Sequence, residues 1–239
     1  MDNFISGELL NKYDYWSFVA GESEKRYRID EANKLKEFLS LFPVERIASM
    51  TIDDYVVGKH TNSSFCWWVE NKLRSLGNIG RGRLNAYQLY GIYYSSKAGE
   101  YLFGGEKTRK TRFGSSKDEI FSNVRSEIVD LINDTKAKNY QAMVNCKLNP
   151  LFKNKIIYLY DSDNWIPIYS DSDLDILLTV FGVPFNKNED RIFKRMALFS
   201  FMKGLNRLDI TPLSFMDFIY KSSFAHEGCR ISNHRSFFL

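Results

Sequence analysis

Proline, cysteine and histidine are all scarce in this 239-residue chain, and long apolar runs are missing. With 5 Pro and 14 Gly, it is neither collagen-like nor of low complexity. Its three cysteines, Cys66, Cys146 and Cys229, are odd in number and far apart. That fits thiols in a reducing compartment and argues against a disulfide scaffold. No stretch approaches the ~20 apolar residues of a membrane span. The opening MDNFISGELL lacks the basic-then-apolar order of a signal peptide. The expectation is a cytoplasmic protein without membrane association.

What is present is a folded chain rich in rings. Hydrophobic residues make up 44% and charged residues 26%, the balance of a globular protein rather than a disordered one. A chain of this length hides roughly 70% of its unfolded surface. Aromatics are abundant, with 19 Phe, 14 Tyr and 4 Trp. The net charge of +4 is unevenly spread. Residues 1–80 hold 10 Lys/Arg against 12 Asp/Glu, residues 81–155 hold 14 against 7, and residues 156–239 hold 9 against 10. All of the excess is in the middle third, where it creates a field that favours polyanions.

Helical signals dominate. Asp30 is placed to cap a helix over 31–41, ended by Phe42-Pro43. Thr51-Ile-Asp-Asp is a short start signal. Phe65, Trp68, Val69, Leu73 and Leu76 share a helical face that Gly77 closes. Ser116 and Glu119 form a capping box ahead of a long stripe of Ile120, Phe121, Val124, Ile128, Leu131 and Ile132. Ser170 heads a helix to Phe181, another runs over 189–203, and Thr211-Pro212 opens a short last one. The tail over 226–239 has no periodicity. Two stretches read as hairpins: Tyr87–Tyr94 with Tyr101–Phe103, and Lys155–Tyr160 with Trp165–Tyr169 around Asp-Ser-Asp-Asn. The predicted class is α+β, with two β-hairpins packed among several helices and a helical C-terminal extension.

Known catalytic patterns are not found. Gly104-Gly105-Glu106-Lys107-Thr108 fails as a phosphate loop because a Glu stands between Gly and Lys. Asp171, Asp173 and Asp175 begin like a calcium loop, but Ile176 stands where Gly is needed and Gly182 where Glu is needed. They read better as acids in a first helical turn. His226, Cys229 and His234 match no zinc spacing. Cys66, inside an aromatic segment, reads as core. Glu100, Glu119 and Lys155 are the nearest approach to a metal-nuclease set, without a recognisable spacing. No catalytic residue, metal ligand or cofactor is therefore assigned.

What remains is aromatic and basic. Base stacking on rings combined with phosphate contacts is how single strands and duplexes are held. Arg81, Arg83, Lys107, Arg109, Lys110 and Arg112 are the candidate phosphate contacts, and Tyr90, Tyr93 and Tyr101 the candidate stacking rings. Gly77-Asn-Ile-Gly80 is similar to a KH clamp loop, a pattern too short to be specific.

One longer block carries a family resemblance. It runs through Phe42-Pro43-Val44-Glu45-Arg46-Ile47, Met50-Thr51-Ile52-Asp53-Asp54-Tyr55 and Ser64-Phe65-Cys66-Trp67-Trp68-Val69-Glu70. It resumes at Leu76-Gly77-Asn78-Ile79-Gly80, Tyr90-Gly91-Ile92-Tyr93 and Arg112-Phe113-Gly114, and closes with Ile157-Tyr158-Leu159-Tyr160 and Ile166-Pro167-Ile168-Tyr169-Ser170. Over about residues 38–184 this resembles the N-terminal DNA-recognition module of McrB-like, modification-dependent restriction proteins. There it stands ahead of an AAA+ NTPase and works with a nuclease. The resemblance implies a prokaryotic defence role, with modified or plain DNA and an NTPase or nuclease subunit as partners. No Walker motif follows in this chain, so the module would not be catalytic by itself. The expected division is a helical lead-in over 1–42, the recognition domain over 43–184, and a helical extension and tail over 185–239. Two other functions compete: a divalent-metal restriction nuclease, and a protein-interaction subunit of a defence complex.

Overall fold

Among the described residues, eight helices start at a side chain that accepts a backbone N–H of the first turn. Thr51, Ser64, Ser116, Asn139, Asn149, Ser170, Asp190 and Thr211 are those caps. The structure is a computed structural model that describes residues 3–59, 62–80, 86–103 and 112–221. In chain order the elements are α1 (Asn3–Leu41), α2 (Val44–Ser49), α3 (Ile52–Tyr55), α4 (Phe65–Trp67, running on into a π-helical turn Trp68–Lys72) and α5 (Ala86–Tyr90). There follow strands β1 (Ile92–Ser95) and β2 (Glu100–Phe103), then α6 (Lys117–Ala137), α7 (Tyr140–Asn145), α8 (Pro150–Tyr160), α9 (Asp171–Val180), α10 (Arg191–Gly204) and α11 (Pro212–Lys221). The protein is mainly helical, with one two-stranded antiparallel sheet among the described residues.

The chain forms two compact units, one made of Glu31–Asp161 and the other of the first thirty residues with the chain from Ser162 on. Sequence punctuation suggests cuts after residues 42 and 184 instead. Pro43 and Gly182 are local breaks, whereas the units are drawn by which surfaces bury one another.

In the Glu31–Asp161 unit the core is aromatic. Phe38, Phe42, Phe65 and Trp68 pack at centroid distances of 5.3–6.3 Å, and Tyr55 lies 5.7 Å from Phe121. The predicted stripe of α6 is buried in full: Ile120, Phe121, Val124, Ile128, Leu131 and Ile132. Lys155 is also fully buried. Its ammonium donates to the carbonyls of Leu73 (2.6 Å), Leu76 (2.6 Å) and Gly77 (2.7 Å), closing the end of the π-helical segment. Burial pushes its pKa well below the usual lysine range, with Glu31 opposing that shift. In the other unit, Leu9 and Tyr13 join Ile166, Leu174, Leu177, Leu178, Leu198, Phe215 and Phe218 in an apolar cluster. Phe181 stacks on Phe201 at 4.6 Å.

Several expectations are corrected. The second hairpin does not exist: residues 155–160 belong to α8, and 163–170 form no strand. Asn149 caps that helix and Pro150 opens it. From Phe152 to Leu159 every residue is buried, so the segment shows neither helical nor strand periodicity. Asp30 is not a helix start, because α1 is already running from Asn3 with one non-helical residue, Gly21 (φ 54°). The expected helix over 65–76 is a short α-turn followed by the π-helical turn. Tyr87–Tyr90, taken as strand, is the helix α5.

Candidate nucleic-acid interface

The hairpin is brief, and its register sets the site. Ile92 pairs with Phe103, Tyr93 with Leu102, Tyr94 with Tyr101 and Ser95 with Glu100. Opposed residues share a face and neighbours alternate, so Tyr94 and Tyr101 are together while Tyr93 points from the opposite face. The two rings meet edge to face, 5.2 Å apart at 73°.

One loop and two helix starts bring charge to this pair. Val57 accepts the N–H of Tyr94 at 3.1 Å, laying residues 57–59 along β1. Gly58 is required there: its φ is +93°, and a Cβ would come 2.1 Å from the Tyr94 carbonyl oxygen. Lys59 follows, with Nζ 4.6 Å from the Tyr94 ring centroid and 5.3 Å from that of Tyr101. Lys117, in the first turn of α6, places its Nζ 5.2 Å from the Tyr101 ring. Both contacts are within cation–π range. Asp53 comes from α3, which a reciprocal Thr51–Asp54 capping box holds in place. It accepts the Tyr101 hydroxyl and lies 4.0 Å from Lys59. Loss of solvation, with the Asp53 hydrogen bond behind it, pushes the Tyr101 pKa up to about 12. Tyr101 therefore stays a neutral donor at physiological pH.

The site thus has two rings, two ammonium groups and one carboxylate. Such a set can stack a base and neutralise phosphates, with each lysine moving from ring to phosphate as a strand arrives.

The nominated residues separate. Tyr101 is in the cluster. Tyr93 is half-buried on the other face of the ribbon. Tyr90 is 1% exposed, donates to Glu70 at 2.6 Å and meets the Phe152 ring edge to face at 5.1 Å. Its ring is covered by protein, so it is a core residue and offers no face to a base. Arg112 is exposed, its guanidinium 5.3 Å from the Phe113 ring. Arg81, Arg83, Lys107, Arg109 and Lys110 lie outside the described residues. So do the Gly104–Thr108 loop and the trio His226, Cys229 and His234.

Lys59, Asp53, Tyr94 and Lys117 enter the site through folding. Lys59 follows Val-Val-Gly with no charge pattern around it. Alternation along YGIYY was a usable signal for Tyr94, since it separates Tyr93 from Tyr94.

Other acids have structural partners. Asp171 and Asp175 hold the buried Lys194 at 3.1 and 2.7 Å, and Asp173 accepts the Tyr220 hydroxyl at 2.8 Å. Lys155 is committed to three carbonyls and cannot serve a nuclease centre. Among the described residues no three His, Cys, Asp or Glu side chains come together as a metal-binding group. No family model, curated protein or solved structure matches the chain.

Proposed function

We propose that this chain is a DNA-recognition module. The carrying observation is the Tyr94–Tyr101 pair with Lys59 and Lys117 against its rings. It is reinforced by the sequence that follows β2, which between 104 and 112 holds four basic residues, Lys107, Arg109, Lys110 and Arg112, and one acid, Glu106. Tyr94 and Tyr101 supply the stacking surface. Lys59 and Lys117 bind phosphates, with Arg81, Arg83, Lys107, Arg109 and Lys110 adding to the same field. The McrB-like resemblance supports a role in a prokaryotic restriction or defence system, where an NTPase or nuclease subunit would act on what the module finds.

Equilibrium titration of labelled single-stranded and duplex DNA at low salt tests the proposal. Binding that weakens in proportion to the logarithm of salt is the expected result. Failure to bind either form at low salt would remove it. The Y94A/Y101A double substitution should cost ~1–3 kcal/mol per lost stacked base.

A second reading, that of a protein-interaction subunit, is favoured by the first half of α1. Tyr15, Phe18 and Val19 lie at helical spacing and are 73%, 85% and 64% exposed. Co-purification of a stable partner that is lost on F18E would support it; a monomer unchanged by that substitution would not.

A further inference from the structure

A groove of about 180 Å³ is lined by Arg112 and Phe113 on one side. Asn123, Glu127 and Asp130 of α6 line it at one-turn spacing, facing Arg112 and Lys147. Most of these groups are engaged. Asn123 donates to the Phe113 carbonyl at 2.8 Å. Glu127 accepts the Lys147 backbone N–H at 2.9 Å and has its ammonium at 3.8 Å. Two charged groups of the lining are not engaged. Among the described residues Arg112 meets the Phe113 ring alone, and Asp130 has neither a hydrogen bond nor an ion pair. A guanidinium and a carboxylate therefore line one groove without pairing with each other.

A ligand that joins them needs two acceptors on one edge and donors on the next. The guanine base has this layout: O6 and N7 accept a guanidinium fork, and N1–H with the 2-amino group donate to a carboxylate. Size adds a second constraint. The groove is well below the roughly 300 Å³ at which sites for whole small molecules begin. It suits one base of a strand whose phosphates are held elsewhere. Use of the N1 edge requires that base to be unpaired.

We infer that this groove reads an unpaired guanine in a bound strand, with Arg112 on O6 and N7 and Asp130 on N1–H and the 2-amino group. The inference rests on the DNA-binding reading above, and its test separates the two. Fluorescence anisotropy compares a labelled thymidine oligonucleotide of about twelve nucleotides, within ordinary single-strand site sizes, with one carrying central guanines. Two further strands replace guanine by 7-deazaguanine, which lacks N7, or by hypoxanthine, which lacks the 2-amino group. The guanine strand should bind about fivefold tighter or more, the lower range of a good bidentate base contact. The hypoxanthine strand should lose part of that gain in the native protein and none further in D130N. R112A should abolish discrimination against 7-deazaguanine. Arg112 and Asp130 are both exposed, and circular dichroism should show both variants folded. Equal binding of the guanine and thymidine strands, or a guanine preference that survives both substitutions, overturns the groove and leaves DNA binding standing. Failure of every strand to bind at low salt overturns both.

Discussion

Lys155 and Asp217 show what burial does to single ionisable groups in this protein. Lys155 is kept inside by three carbonyl oxygens at 2.6–2.7 Å. K155M leaves those acceptors without a donor, and each unsatisfied buried group costs about 1–3 kcal/mol. The expected loss is ~3 kcal/mol or more, read as a lower urea midpoint; an unchanged midpoint would contradict the assignment. Asp217 is 2% exposed on α11. Its Oδ2 has no hydrogen-bond partner among the described residues, while Lys221 lies 3.1 Å from Oδ1 and also pairs with Glu24 of α1 at 3.2 Å. Burial raises the Asp217 pKa to about 7; Lys221 opposes the shift and Glu24 adds to it. Between the unfolded pKa near 4 and the folded value near 7, the folded chain holds a proton that the unfolded chain has lost. Stability from this group is therefore complete below about pH 4 and declines as pH rises to about 7, by up to roughly 4 kcal/mol. Chemical denaturation across that range should show the decline, and D217N should flatten it. A D217N profile parallel to the native one would contradict it.

At the scale of elements, caps and stripes were readable and buried neighbours were not. Thr51, Ser116, Ser170 and Pro212 mark starts that the structure keeps, because capping is a contact between near neighbours in the chain. Helix α8 was misread because it is buried all round, so no polar face reports its period. The lead-in over 1–42 was expected to be helical, but its buried face was not legible before residue 31, because the exposed Tyr15, Phe18 and Val19 stand beside the buried Leu9 and Tyr13 and blur the apolar stripe. The site follows the same rule. Tyr101 and the basic run are local features, whereas Lys59 reaches Tyr94 only because residues 57–59 pair with β1. Gly58 is the hinge of that arrangement. G58A places a Cβ 2.1 Å from a backbone oxygen at a φ of +93°. The loop must leave the strand, with a stability loss of ~1–3 kcal/mol and weaker DNA binding through displaced Lys59. Thermal melts and the DNA titration together check this. A variant with native melting and native affinity would show that the loop does not position the lysine.

Charge belongs to the whole molecule, and its division matches the units. Glu31–Asp161 hold 20 Lys/Arg against 14 Asp/Glu, and the remainder of the chain holds 13 against 15. The unit with the Tyr94–Tyr101 pair is therefore net positive and the other net negative. Under the proposed function, the positive field over this unit would steer polyanions to it and the rings would then hold bases. The central claim is that Lys59 and Lys117 leave those rings for phosphates when DNA binds. The most direct measurement is the slope of log affinity against log salt for single-stranded DNA, with native protein and with K59A/K117A. Each neutralised phosphate contributes about 0.7 to that slope for a single strand. The account predicts linear plots, with the double variant shallower by about 1.4. Equal slopes would contradict it, because they would mean that neither lysine meets a phosphate.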